Sequence, residues 1–325
     1  MNATIEQQMD AAVLHAASSP AEAIVVRPEP IPVPAAGEVL VQVQAAGVNP
    51  IDVAVAAGFL GSPLPIVPGI DFAGVVVSEG ELYGQEVWGS QAYLGWKRPG
   101  THAQYVALPS SWLSRKPKSL SMVEAGAIGR PYITAWQALI KIIDLQPGET
   151  ILLNGGAGLV GQAAADIARW RGARPIIAGR RPVEEAEDVI DTTAGNLTEA
   201  VLALTDGKGV DAALDAIGGE LFEPTVKSLR FGGRMVGLLN NTRVEFDPTE
   251  IYSHDRQVTG LASLFIDGAE GAHVFDQLGT LFERGLLTPP AIKAWALQDA
   301  VDAYQTVKDG ARGVKQVILP FGGAA

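Results

Sequence analysis

The chain has 325 residues, 47% of them hydrophobic, with 37 Gly and 21 Pro, enough apolar content for ordinary buried cores in about two domains. Asp and Glu outnumber Lys and Arg 36 to 24, a formal charge of −12, which argues against sequence-independent binding to nucleic acid or anionic membranes, since both need a basic face. Cysteine is absent, so disulfides, thiolate nucleophiles and cysteine-built zinc sites are excluded, and only four His remain for imidazole chemistry. The start, MNATIEQQMD, lacks the pattern of a secretory leader, and no apolar stretch approaches membrane-spanning length, so the expected location is the cytoplasm.

In chain order, residues from about 10 to 120 run as short alternating apolar segments broken by Pro and Gly, among them AAVLHAA, AIVVRPEPIPVPAAGEVLVQVQAAGVNP and VPGIDFAGVVVSEG. This predicts a β-rich barrel or sandwich. From about 121 to 265 strands alternate with helices: ETILLN, a helix over 159–171, PIIAG, EDVID, a helix over 196–204, VDAALDAIG, a helix over 219–229, GRMVGLL and RQVTGLA. That alternation predicts an α/β doubly wound parallel sheet. The last section, HVFDQLGTLFERGLL, ALQDAVDAYQTVKDGA and KQVILP, offers two helices and a strand able to rejoin the first part. Two places resist the pattern. Only PVEEAE separates Arg181 from the strand at DVID, too little for a full crossover helix, and Pro175 fits its strand only at the beginning, because proline removes a ladder donor.

Gly156, Gly158 and Gly161 satisfy GxGxxG in a context that gives the motif force: they follow the apolar strand TILL and open a helix whose Val160, Ala164, Ile167 and Ala168 recur at helical spacing. The first glycine permits the tight turn, the second lets backbone approach a pyrophosphate, and the third allows close helix-to-strand contact, while amides at the helix start face the anion. Gly156, Ala157, Gly158, Leu159, Val160 and Gly161 are therefore candidate cofactor-binding residues.

Dinucleotide-binding units commonly carry an acidic residue after the next strand, where it bonds an adenosine ribose. Here Arg180 and Arg181 stand there, suited to a 2′-phosphate and hence to NADPH. The competing readings are a solvated pair of surface arginines and a ribose acceptor supplied by Glu184 or Glu185.

The ordered series AAGVNPID, VPGIDFAGVV, GTHAQYVALP, IGRPYITAWQAL, LQPGETILLNGGAGLVG, LDAIGG and FGGRMVGLL resembles the zinc-independent quinone oxidoreductase branch of the medium-chain dehydrogenase/reductase superfamily, over about residues 11 to 320. The resemblance implies a GroES-like β-rich catalytic domain over 1–122 and 266–325, a Rossmann NADPH-binding domain over 123–265, an active-site cleft between them and a homodimer. Zinc-dependent relatives bind their catalytic metal through Cys, the His of a GHE triplet and a second Cys four residues before a cofactor-contacting Thr. The matching positions here are Asn49, Ile70 and Arg130, which do not make a zinc site. Without that Lewis acid, the expected chemistry is hydride delivery to an acceptor already electrophilic, a quinone or a conjugated enone.

By the same resemblance Asn49 lies beside the nicotinamide and Thr134 near the phosphates or nicotinamide ribose. Ala216, Ile217, Gly218 and Leu238 fall at later strand ends, Ser263, Leu264 and Phe265 reach the carboxamide end, and Lys315 is a further cofactor contact. Phe59 and Leu60 stand where enoyl-thioester reductases of this branch carry a proton-donating Tyr, which argues against thioester reduction. Arg130 is expected either to serve the substrate or to form a buried ion pair with Asp71 or Asp52. Tyr93, Trp96 and Tyr105 are candidate cleft residues or packing. The alternative to the enzyme is an NADPH-binding redox sensor or structural protein with little turnover.

Overall fold

The computed structural model describes residues 7–91, 93–180, 188–238, 243–311 and 313–322. The chain divides into two compact units, Met1–Arg130 with Leu264–Ala325, and Pro131–Ser263. The first crossing falls inside the helix Met122–Trp136, where Gly129 (φ 11°, ψ −121°) leaves helical geometry just before Pro131. Sequence alone put the boundary at the start of that helix, because a local break in backbone angles is invisible to apolar periodicity.

In the first unit the strands are β1 Gln8–Leu14, β2 Ile24–Pro30, β3 Glu38–Val48, β4 Asp71–Val76, β5 Glu86–Ser90, β6 Tyr105–Pro109 and β7 Ser114–Arg115. The second unit holds β8 Thr150–Asn154, β9 Arg174–Gly179, β10 Val189–Asp191, β11 Val210–Asp215, β12 Leu229–Leu238 and β13 Gln257–Leu261. The chain then returns to the first unit with β14 Ile292–Ala296 and β15 Lys315–Leu319.

The first unit is built on a sheet of order β14-β15-β3-β4-β5-β7, with β6 also paired to β3 and a separate antiparallel pair β1-β2. Its strands show the two-residue period: in β3, Val41 and Val43 are buried while Gln42 and Gln44 are half-buried. β14 runs parallel to β15, so the two need a crossover, and the helix Ala300–Lys308 supplies it. β14 was not anticipated from sequence, because IKAWA carries a lysine and little alternation. Trp88 of β5 is fully buried, its ring 5.0 Å from Phe275 and 6.2 Å from Phe282 of the helix Gly268–Glu283, and its indole N–H donates to Ser114.

The second unit has one sheet of order β10-β9-β8-β11-β12-β13, every pair parallel, the doubly wound order with its switch point between β8 and β11. The central strands are buried almost continuously, as a sheet covered on both faces requires. Pro175 stands second in β9, and β10 begins to pair only at Ile177, so no ladder bond is lost. The segment PVEEAE lies outside the described residues. The α/β class with a β-rich part and a doubly wound parallel sheet is thus borne out.

Trp88→Ala is expected to lower the unfolding free energy by about 3–5 kcal/mol, since it removes a buried aromatic that three elements pack on, with Trp88→Phe costing less. Urea denaturation of both variants checks this; equal, small losses would mean the site collapses without a cavity.

Candidate active site

In the second unit, β8 ends in a turn that only glycine permits. Gly155, at φ 82°, takes the left-handed conformation that the sequence motif had suggested for its neighbour Gly156. Gly156 is needed for closeness instead: a Cβ there would lie 2.6 Å from Ile177 Cγ2. At Gly161 a Cβ would lie 2.4 Å from the Gly156 Cα, so the helix Leu159–Trp170 sits directly on the turn. Gly158 is its N-cap and offers no side chain, which leaves the first helical amides for a ligand. Gly155 went unassigned in the sequence because it lies just outside the GxGxxG frame.

The carboxyl end of β11 is shaped by Asp215, whose Oδ1 accepts from the backbone N–H groups of Ile217 (3.0 Å) and Gly218 (2.8 Å) and from Asn154 Nδ2 (3.1 Å). These bonds fold the Ala216–Gly218 segment over the strand end beside the glycine turn. A cavity of about 480 Å³ runs along the ends of β11, β12 and β13, with Asp215, Gly218, Leu238, Gly260 and Leu261 on its wall. Thr134 donates to Ser263 (2.9 Å), so these two candidates meet, whereas Leu264 and Phe265 belong to the first unit. Arg180 is exposed just after β9; Arg181, Glu184 and Glu185 lie outside the described residues.

In the first unit, three predicted site residues converge on one that was not predicted as a centre. Asp71, first in β4 and fully buried, accepts through Oδ2 from Lys315 Nζ (2.9 Å) and Asn49 Nδ2 (2.8 Å), and through Oδ1 from the backbone N–H of Arg130 (2.9 Å). Lys315 Nζ also donates to Asn49 Oδ1 (2.6 Å). Burial by itself would raise the Asp71 carboxyl, but Lys315 and Arg130 hold it below the usual range, so it is ionised. Asp71 forms an ion pair with Lys315, and Arg130 contributes its backbone N–H together with the charge that helps to keep the carboxylate ionised. The Arg130 side chain is buried at 7% exposure, and desolvation lowers its affinity for the proton against the fields of Asp71 and Asp52.

Asn49 caps the helix Pro50–Ala56, and Asp52, in its first turn, accepts the Asn49 backbone N–H (2.8 Å). Asp52 is buried beside Asp71, and these two effects push its carboxyl up to about 7. His102, fully buried, accepts from the Tyr304 hydroxyl at Nδ1 (2.8 Å) and donates from Nε2 to the Gly47 carbonyl (3.3 Å), the tautomer that an acceptor-only carbonyl requires. Desolvation drops its pKa to about 4, so it is neutral. Ile70 is buried among Val41, Val43, Phe72 and Leu94. Among the described residues no group of three or more His, Asp or Glu could hold a metal ion.

Residues 35–118 match the alcohol dehydrogenase GroES-like domain and residues 160–275 the zinc-binding dehydrogenase domain. A zinc-type alcohol dehydrogenase-like protein of Schizosaccharomyces pombe is 32% identical over 266 residues, 79% of either chain. The chain belongs to the medium-chain dehydrogenase/reductase superfamily. Within it, the human quinone oxidoreductase is 26% identical over 300 residues, 89% of this chain and 91% of that one. The crystal structure of an alcohol dehydrogenase superfamily protein from Novosphingobium aromaticivorans, 29% identical, superposes with a TM-score of 0.87 over 96% of this chain and 99% of its own. The superfamily expected from sequence is borne out, and with it an oxidoreductase of quinone oxidoreductase-like kind. No helix among the described residues is long and apolar enough to cross a membrane.

Ionising Asp52 is disfavoured in the fold, so the native state binds a proton there that the unfolded chain has lost between about pH 4 and 7, and stability falls as pH rises through that window. Asp52→Asn keeps an acceptor for the Asn49 N–H without the charge. It is expected to be more stable than the parent at pH 8, by a few kcal/mol at about 1.4 kcal/mol per pKa unit, and to match it near pH 4 and below. His102 works oppositely between about pH 4 and 6.5, but it is common to both proteins and cancels in the difference. Urea titrations across pH 4–8 read this directly; a parent no less stable than the variant at pH 8 would contradict it.

Proposed function

We propose that the protein is an NADPH-dependent, zinc-independent reductase that delivers hydride to a quinone or conjugated enone. The observation that carries the cofactor half is the glycine turn at the carboxyl end of β8: any Cβ at Gly156 or Gly161 would fill space now taken by Ile177 and by the turn itself, and the uncapped helix start leaves amides for a pyrophosphate. A dinucleotide fits that donor set. NADPH, when bound, supplies the hydride, and the chain's own residues bind and orient. Gly156 to Gly161 would hold the pyrophosphate, Ala216 to Gly218, Leu238, Thr134 and Ser263 the nicotinamide half, and Arg180 with Arg181 the 2′-phosphate.

The acceptor half rests on what stands at the positions matched to metal ligands. Ile70 is locked in an apolar core and Asn49 spends its amide on Lys315 and Asp71, so Asn49 enters as a positioning residue. Arg130 brings a buried positive charge to the third position, within the fields of Asp71 and Asp52. Its guanidinium would stabilise negative charge developing on an enolate or hydroquinone oxygen, the task of a Lewis acid done by hydrogen bonds. The chemistry needs an acceptor already activated by conjugation, which agrees with the quinone oxidoreductases among the relatives.

The deciding experiment is loss of NADPH absorbance across a panel of quinones and enones; no turnover with any acceptor would leave a cofactor-binding protein without the proposed activity. Alanine at both Arg180 and Arg181 is expected to weaken NADPH binding tenfold or more and leave NADH nearly unchanged; equal losses would show arginines that support the fold. Arg130→Leu is expected to lower kcat and kcat/KM together by about 10²–10³ with little change in NADPH affinity. A collapsed melting transition with normal turnover in the folded fraction would make Arg130 structural.

A further inference from the structure

Away from Asn49 and Asp71, the first unit holds a cavity at the place where two strands stop pairing. β1 runs beside residues 102–104: the Ala12 N–H donates to the His102 carbonyl (2.9 Å) and the Gln104 N–H to the Asp10 carbonyl (3.1 Å). The Asp10 N–H turns instead to Oε1 of the Gln104 side chain (3.0 Å), and β6 beyond that point pairs with β3. There a cavity of about 290 Å³ opens, walled by Met9, Pro30, Pro32, Arg98, Pro99 and Tyr105, all of the one unit. Its walls are set before any ligand arrives. Met9 is buried in one cluster with Val13 and Val67, and Ile31 and Tyr105 pack against it. The Ile31 N–H donates to the Gln7 carbonyl (3.0 Å), which fixes the backbone between Pro30 and Pro32. The Gly100 N–H donates to the Val67 carbonyl (2.7 Å), and a Cβ there would lie 2.2 Å from the Gly69 oxygen, so the turn that carries Pro99 is seated tightly. The Tyr105 ring meets Phe321 edge-on at 5.7 Å, and its hydroxyl accepts from Gln42 (3.3 Å).

Charge around the cavity is balanced in pairs. Arg98 donates from Nη2 to Glu38 (2.6 Å) and to the Ala107 carbonyl (2.9 Å), and the first of these bonds holds the Glu38 carboxyl below the usual range. Glu29, also on the wall, pairs with Arg27 at 2.7 Å. Since both Arg98 bonds leave from Nη2, its Nε and Nη1 keep hydrogens to give.

We propose that this cavity is a ligand site in its own right and takes a small, neutral molecule made of one aromatic ring that bears a carbonyl group. Volume sets the size: a cavity of about 150 Å³ holds benzene, so about 290 Å³ takes a ring with a short substituent. The walls favour an aromatic ring over an aliphatic one. The Met9 sulfur and the Arg98 guanidinium both gain from a π face, and proline rings dock on aromatic surfaces. The remaining Arg98 N–H groups call for an acceptor, which the carbonyl oxygen supplies. A carboxylate in its place would set a negative charge beside Glu29 and Glu38, with Arg98 already matched, so the acceptor is neutral. Because the walls are held by the fold, binding costs little ordering.

The test is an NMR titration that follows individual backbone amides, with probes of similar size: acetanilide, the anionic phenylacetate, and N-cyclohexylacetamide, which keeps the carbonyl and loses the aromatic ring. Acetanilide is expected to bind the parent with a Kd of about 1 mM or below and to shift the amides of Gly100, Val106 and Ala107. Phenylacetate and N-cyclohexylacetamide are expected to bind at least fivefold more weakly. Arg98→Met removes the donor, and Pro99→Ala trims the wall at an exposed position where the fold is not at stake. Each is expected to weaken acetanilide at least threefold. No binding by the parent, shifts confined to other amides, a control probe as tight as acetanilide, or unchanged affinity in Pro99→Ala refutes the site. The titration contains no nucleotide, so its outcome is independent of whether the protein reduces any acceptor.

Discussion

The first unit depends on one buried ion pair, Asp71 with Lys315. Both side chains are inaccessible to water, and taking two charges out of water costs several kcal/mol per ion, recovered only if the geometry is good and the remaining valences are bonded. Here they are: Asn49 and the Arg130 backbone N–H complete the carboxylate, and the Asn49 carbonyl takes a second proton of the ammonium. The packing admits nothing more. A Cβ at Gly129 would lie 2.1 Å from the carboxylate carbon, and one at Gly47 would lie 2.5 Å from Lys315 Cε. The pair thus dictates two glycines, the break in the helix Met122–Trp136, and the return of the chain to place β15 against β3. Removing either charge alone would strand the other, so the four segments that meet here hold together or fail together.

The second unit solves a different problem, leaving one end of a parallel sheet open for a ligand. Its strong polar contacts gather at the amino ends of the strands: Arg234 grips Glu149 with two bonds, at 2.9 and 2.6 Å, and Asp211 takes Arg230 and the Thr150 N–H. At the carboxyl ends stand Gly155 to Gly161 and the Asp215 turn, where backbone groups do the work. The separation follows from chemistry. Ion pairs brace the sheet where no ligand is needed, and glycines keep the other end open to close approach by a phosphate chain.

How legible this was in the sequence depends on the range of the interaction. The glycine motif, the alternation of strands and helices, and the apolar run of β8 are local, and each appears in the structure close to where the text placed it. Gly155 escaped because a left-handed angle has no signature beyond being glycine, and this stretch has two in succession. β14 escaped because its partner β15 comes after a crossover and its own residues scarcely alternate. Asp71 and Lys315 are 244 positions apart, and nothing local says that a lysine in KQVILP answers an aspartate in GIDFAG. Reading Arg130 as a possible partner of Asp71 found the right carboxylate and the right residue, but not the hydrogen bond from its backbone N–H, which acts beside the charge of the guanidinium.

That last detail bears on how the site can vary in chemistry without losing its fold. A position whose side chain anchored Asp71 would be tied to that carboxylate, and any substitution would leave a buried charge without its partner. A backbone N–H is offered by every residue but proline, so this one hydrogen bond to Asp71 places almost no demand on which side chain residue 130 carries. The same holds at Ile70, where the apolar core asks only for a hydrophobic side chain of suitable volume beside Phe72. The ion pair, the Asn49 cap and the helix break therefore form a frame that takes a backbone N–H from residue 130, while the charge of Arg130 adds to the field that keeps Asp71 ionised. A guanidinium there is felt by Asp71 and Asp52 through its charge, so its purpose is to be sought in the electrostatics of these buried carboxylates as well as in the acceptor.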